Sequence, residues 1–98
     1  SQMSEAVAKM VRDSVTAYVE KNLELARNVM EADDHVDELF EVKKQHLIEF
    51  ISTNQNHGRE AIDQMMVSKY LERIGDHATN IAEWVEFSIT GIHKESKV

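Results

Sequence analysis

Tyr70-Leu71-Glu72-Arg73-Ile74-Gly75-Asp76-His77-Ala78-Thr79-Asn80-Ile81-Ala82-Glu83 packs six ionisable side chains into fourteen residues of helical periodicity. Ile74, Ala78, Ile81 and Val85 recur at three- and four-residue steps, which predicts one apolar stripe. Glu72 and Asp76 stand one turn apart on a different face. At about 100° per residue they fall well off that stripe, so any ion they held would sit in a groove or on an outer face rather than in the core. Asp33 and Asp37 repeat the spacing earlier in the chain.

Outward from this stretch the chain reads as three helices. The first, about residues 2–20, carries Met3, Val7, Met10, Val11, Val15 and Tyr18 at helical steps. It stops near Lys21-Asn22, where Asn22 can accept from the free amides of a second helix and Glu24 suits the positive end of its dipole. The second, about 23–52, has the stripe Leu25, Val29, Ala32, Val36, Leu39, Phe40, Leu47 and Phe50. The polar turn Thr53-Asn54-Gln55-Asn56-His57-Gly58 ends it. Asn54 or Asn56 can cap a third helix over about 58–90, closed by Gly91. Short turns make antiparallel neighbours, and three stripes cover one another only as a bundle. The expected fold is therefore all-α, an elongated antiparallel three-helix bundle forming one domain over 1–98. Its short first helix leaves part of the other two uncovered for a partner.

Composition narrows the function. A net charge of -7 with Lys43-Lys44 as the densest basic run speaks against nucleic-acid binding. The absence of cysteine excludes disulfides, thiolate metal sites and a thiol nucleophile. No apolar run approaches the roughly 18 residues of a membrane span, and the amino terminus lacks a signal-peptide core, so an intracellular, cytoplasmic protein is expected. There is no Gly-rich phosphate loop, activated serine or histidine-acid arrangement, and no Glu is followed three residues later by His as in ferritin-like di-iron proteins. Gly75 inside a helix costs about 1 kcal/mol relative to Ala and calls for a close approach by a neighbouring helix or a ligand.

Register pairs the two acidic motifs. If helices two and three fold back near Asn56, Asp33 and Asp37 fall opposite roughly positions 75–79, within about a turn of Glu72 and Asp76. Clustered carboxylates raise one another's pKa, and a hard cation relieves the repulsion. Asp33, Asp37, Glu72 and Asp76 are the candidate ligands, with His77, Asn80 and Glu83 as additional ligands or supporting hydrogen-bond partners. The plainer alternative is a solvated acidic face neutralised by Lys69 or Arg73.

The run Leu71 to Glu83, with Leu25-Ala26, Asp33-Asp34-His35-Val36-Asp37-Glu38-Leu39 and Gly91, resembles the PhoU family of phosphate-signalling regulators, most closely the second half of its members. The resemblance implies one three-helix repeat of a two-repeat protein. It also implies a multinuclear metal cluster on the E(D)xxxD motifs Asp33/Asp37 and Glu72/Asp76, on the outside of the bundle. Iron is favoured by that resemblance; manganese, magnesium or zinc would also accept carboxylate oxygen. The implied role is not enzymatic. It is that of an adaptor acting as negative regulator of the phosphate regulon and of the phosphate ABC transporter, with the transporter's ATPase subunit and a membrane sensor histidine kinase as partners. Such a chain would be peripheral to membrane partners rather than membrane-spanning, and a missing half would leave a face able to form a homodimer. The alternative is a metal-free helical dimerisation or protein-interaction module. A metal-dependent phosphohydrolase would need a substrate pocket for which the sequence carries no signal.

Overall fold

A computed structural model describes residues 1–53 and 55–91. Three α-helices, α1 (Gln2–Glu20), α2 (Leu23–Thr53) and α3 (Gly58–Thr90), are joined by the Lys21-Asn22 corner and a short 3-10 turn, Gln55–His57. They form the expected antiparallel bundle, a rod of 52 × 24 × 15 Å.

The helix ends are fixed locally. Ser1 caps α1, its Oγ accepting from the Ser4 amide at 3.2 Å, while the Ser4 hydroxyl donates back to the Ser1 carbonyl at 3.0 Å. Lys21 closes α1 in the left-handed region at φ 55°. Asn22 then starts α2, its Oδ1 accepting from the Leu25 amide at 3.0 Å. Gly91 ends α3 at φ 76°, a left-handed cap that costs glycine little. The cap of α3 differs from expectation. His57 occupies the position without a side-chain bond to the helix amides; its Nδ1 lies 2.7 Å from Glu60 Oε1 instead. Asn56 lies within the 3-10 turn, and Asn54 falls outside the described residues.

The core is narrower than the stripes predict. In α1, Met3, Val7, Met10, Ser14 and Ala17 are buried, whereas Val11, Val15 and Tyr18 are exposed. In α2, Ala26, Val29, Val36, Phe40 and Leu47 are buried and Phe50 is exposed. The largest revision concerns α3. Its buried arc is Ala61, Ser68, Gly75, Ala78, Ala82 and Val85, and Ile74 and Ile81 stand 43% and 38% exposed instead of completing a stripe with Ala78 and Val85. Close helix packing takes the small residues inward and leaves the branched ones on the rim. Gly75 marks that approach: a Cβ there would lie 3.7 Å from Met10 Sδ and 3.9 Å from Val36 Cγ1.

α1 has 19 residues against 31 and 33 in α2 and α3, so at 1.5 Å per residue it covers roughly 28 Å of helices approaching 50 Å. Beyond its start the α2–α3 hairpin is open, and a groove of about 530 Å³ lined by Met3, Leu39, Val42, His46, Val67 and Leu71 occupies the vacated track.

Candidate functional site

The α2–α3 seam sets the site. Lys69 Nζ of α3 lies 5.4 Å from the Phe40 ring centroid of α2, and Arg27 Nε of α2 donates to Glu86 Oε2 of α3 at 2.9 Å. Both pairs, like the approach of Val36 to Gly75, are centred within about one residue of a fold-back at residues 55–56. That register brings Asp33 and Asp37 to the level of Glu72 and Asp76. On the wheel, Glu72, Asp76 and Glu83 share the flank of α3 that faces α2.

The electrostatics follow from this placement. Partial burial of its carboxylate, and then the negative charges of Asp33, Glu72, Asp76 and Asp34, push Asp37 up from 3.8 to about 6. The other three expected carboxylates therefore all bear on Asp37, and Asp34 joins them. Asp33 is half-buried, with Oδ1 wholly enclosed, and Glu72 is half-buried; Asp37 and Asp76 are exposed. Lys69 supplies the local positive charge. Its Nζ donates to Glu72 Oε1 at 2.9 Å, and the hydrogen bond and charge of Glu72, aided by Asp76, raise the lysine's pKa.

The additional candidates are dispersed. Asn80 is exposed one turn beyond Asp76, and Glu83, half-buried, lies two turns beyond it on the same flank. His77 is exposed and turned about 100° from Asp76 along the helix, toward the outer face that carries Trp84. Among the described residues no three His, Asp or Glu side chains converge as a metal shell. The arrangement is an array of acids across a seam, spanned on one side by Lys69. Its donors are carboxylate oxygens, the type that hard, oxygen-loving cations take. Sequence reasoning gave Asp34 no part in the cluster, although the acid-rich run Glu31 to Glu38 carried the signal. The aromatic seat of Lys69 on Phe40 could be seen only once the register was fixed.

Among the described residues no helix is long and apolar enough to cross a membrane. The model of the PhoU domain matches residues 1–85. The chain is 39% identical over 89 residues to the phosphate-specific transport system accessory protein PhoU homolog of Clostridium acetobutylicum, covering 91% of this chain and 41% of that protein. It is 40% identical to the protein of the same name from Zymomonas mobilis, over 91% of this chain and 38% of the relative. Homolog 1 from Methanothermobacter thermautotrophicus is 31% identical over 90% of this chain and 40% of its own length. The chain thus spans about two fifths of the length of these relatives. On the match over 1–85, most of its length, the chain belongs to the PhoU domain family.

Proposed function

We propose that this chain is a regulatory adaptor of phosphate uptake and of phosphate-responsive two-component signalling, and that it holds a metal ion or cluster on Asp33, Asp37, Glu72 and Asp76. The observation that supports the metal reading is that Asp37 is pushed up to about 6 by burial and by the negative charges of Asp33, Glu72, Asp76 and Asp34 around it. A di- or trivalent cation would neutralise that repulsion and tie α2 to α3. Iron is the first candidate, with manganese, magnesium and zinc as alternatives. The regulatory reading rests on the relatives, whose name makes them accessory proteins of a phosphate-specific transport system rather than enzymes. Its partners are then the transporter's ATPase subunit and the sensor histidine kinase, on the cytoplasmic side of the membrane, where the adaptor acts as a negative regulator.

Elemental analysis of protein purified without chelator tests the site, with wild type set beside a variant carrying Asn at 33, 37 and 76 and Gln at 72. Stoichiometric metal in wild type and none in the variant is expected; no metal in either overturns the metal reading. Pulldown with the ATPase subunit and the kinase, at high and low phosphate, tests the adaptor role, and recovery of neither partner in either condition overturns it. A second reading, a metal-free helical dimerisation or interaction module, is favoured by Lys69, which already places a cation against Glu72.

A further inference from the structure

The flank of α3 away from the acidic seam borders α1, and the face these two helices share differs in kind from the rest of this acidic chain. Lys69 and Glu86 fix the flank of α3 toward α2, so Ile74 and Ile81, on the other side of the buried arc, border α1. α1 runs parallel to α3, with Met10 level with Gly75. In right-handed parallel helices the flank of α1 that follows Val7 and Met10, carrying Val11 and Val15, is then the one beside α3. Val15, Tyr18 and Val19 of α1 are 50%, 62% and 72% exposed, and Ile74, Ile81 and Trp84 of α3 are 43%, 38% and 57% exposed. Level for level, Val15 lies near Ile81 and Tyr18 near Trp84, so branched aliphatics hold the middle of the face and aromatic rings one end.

The charges on this face have one sign. From Ala8 to Val19 and from Arg73 to Ser88 the described residues place no carboxylate on it: Asp76, Glu83 and Glu86 fall on the flank of α3 toward α2, and Asp13 on the flank of α1 away from α3. Arg12 and Arg73 stand exposed on the outer ridges of the two helices, with His77 between them. Among the described residues neither arginine forms an ion pair, although Lys9, Arg27, Lys44 and Lys69 each do.

In a chain of net charge -7, an apolar strip edged by unpaired arginines is matched by a surface that is anionic on top and apolar beneath. A bilayer leaflet containing acidic phospholipid is such a surface: Trp and Tyr settle at headgroup depth, aliphatic side chains reach the acyl boundary, and arginines meet the phosphates. The strip runs about 12–15 Å along each helix, so both helices can lie flat on it. A second copy suits the face less well, because a two-fold axis through its middle would set Arg12 and His77 against their own mates. Repulsion by the acidic seam is slight. That seam lies across a rod 24 × 15 Å in cross-section, and the screening length is about 10 Å in ~0.1 M salt.

We infer that the α1–α3 face rests on the anionic leaflet of a bilayer, holding the rod parallel to the membrane with its acidic seam turned away. The contact needs no metal and stands apart from the choice of protein partner.

Co-sedimentation of the 98-residue chain with large vesicles tests it, in chelator so that no ion bridges protein to headgroup. One set is phosphatidylcholine alone; the other is three parts phosphatidylcholine to one of phosphatidylglycerol. The mixed vesicles should bind the chain and shift the emission of Trp84, its single tryptophan, to the blue. Neutral vesicles should bind it roughly 25-fold more weakly, the factor that two arginines supply near an acidic surface. Arg12→Gln with Arg73→Gln should lose that factor on mixed vesicles and change little on neutral ones. Val15→Gln with Ile81→Gln should weaken binding to both roughly tenfold, and both variants should keep the helical circular dichroism. No binding to mixed vesicles overturns the inference, as does equal binding to the two compositions, binding that neither variant weakens, or binding that leaves Trp84 emission unchanged. If vesicles capture nothing and sedimentation equilibrium shows a dimer that Val15→Gln with Ile81→Gln dissociates, a second copy covers the face and the lipid contact is overturned.

Discussion

α3 presents two flanks that differ in almost every physical respect. Toward α2 it carries Glu72, Asp76 and Glu83, half-buried or exposed, facing the acids of α2 and spanned by Lys69. Toward α1 it carries Ile74 and Ile81, apolar and open to solvent. Between them runs a thin line of Gly75, Ala78 and Ala82, which is all the helix contributes at its centre to the core. A narrow core lets both flanks reach the surface. The small residues that permit close packing thus also make one helix available to two surfaces at once.

Overfilling that line should break the contrast most severely. Gly75→Leu places a branched side chain against Met10 and Val36 and should cost about 3 kcal/mol, prying both seams apart, as read from urea denaturation. An unchanged midpoint would show that the helices do not approach here. Gly75→Ala sharpens the point in the opposite direction. Its Cβ meets neighbours no closer than 3.7 Å, ordinary contact, so the gain in helix propensity should survive as about 0.5–1 kcal/mol of added stability.

The acidic flank should respond more weakly, because solvent reaches it. Asp37 binds its proton more tightly in the folded chain, at about 6 against 3.8. Its contribution to stability is therefore fully present below pH about 4 and is lost as pH rises through about 6. Asp37→Asn should remove that decline and leave the metal-free protein at neutral pH more stable by under about 1 kcal/mol, once screening at this exposed site is allowed for. Denaturant midpoints of both proteins from pH 4 to 7 would decide it; parallel curves would refute the repulsion. The smallest shift is expected from Lys69→Met, which leaves Glu72 unpaired. It should lower stability slightly at low salt, and the difference should vanish at high salt. If metal and lysine compete for Glu72, the same change should tighten metal binding.

Much of this was legible in the residues themselves. Helical periodicity without proline, the asparagine at 22 and the glycine at 91 mark the helices, and equal spacing about Asn56 brings the two acidic pairs together, because antiparallel register is simple arithmetic along two rods. The depth of each side chain was not legible. Periodicity treats Ile74, Ala78, Ile81 and Val85 as one stripe, since all are apolar and within an arc of about a sixth of a turn. Which edge of that arc turns inward depends on where α1 and α2 lie.

The sequence by itself determined that this chain makes three amphipathic helices, that they pack as a bundle, and that two acidic pairs repeat at one-turn spacing, since spacing and capping are local properties of the chain. Only the tertiary structure decided that Ser14 and Ala17 replace Val15 and Tyr18 in the core, that Lys69 rests on Phe40 while binding Glu72, and that an apolar face opens between α1 and α3. Those outcomes depend on the rotation of each helix about its own axis. Close packing against two neighbours sets that rotation, and no single helix encodes it.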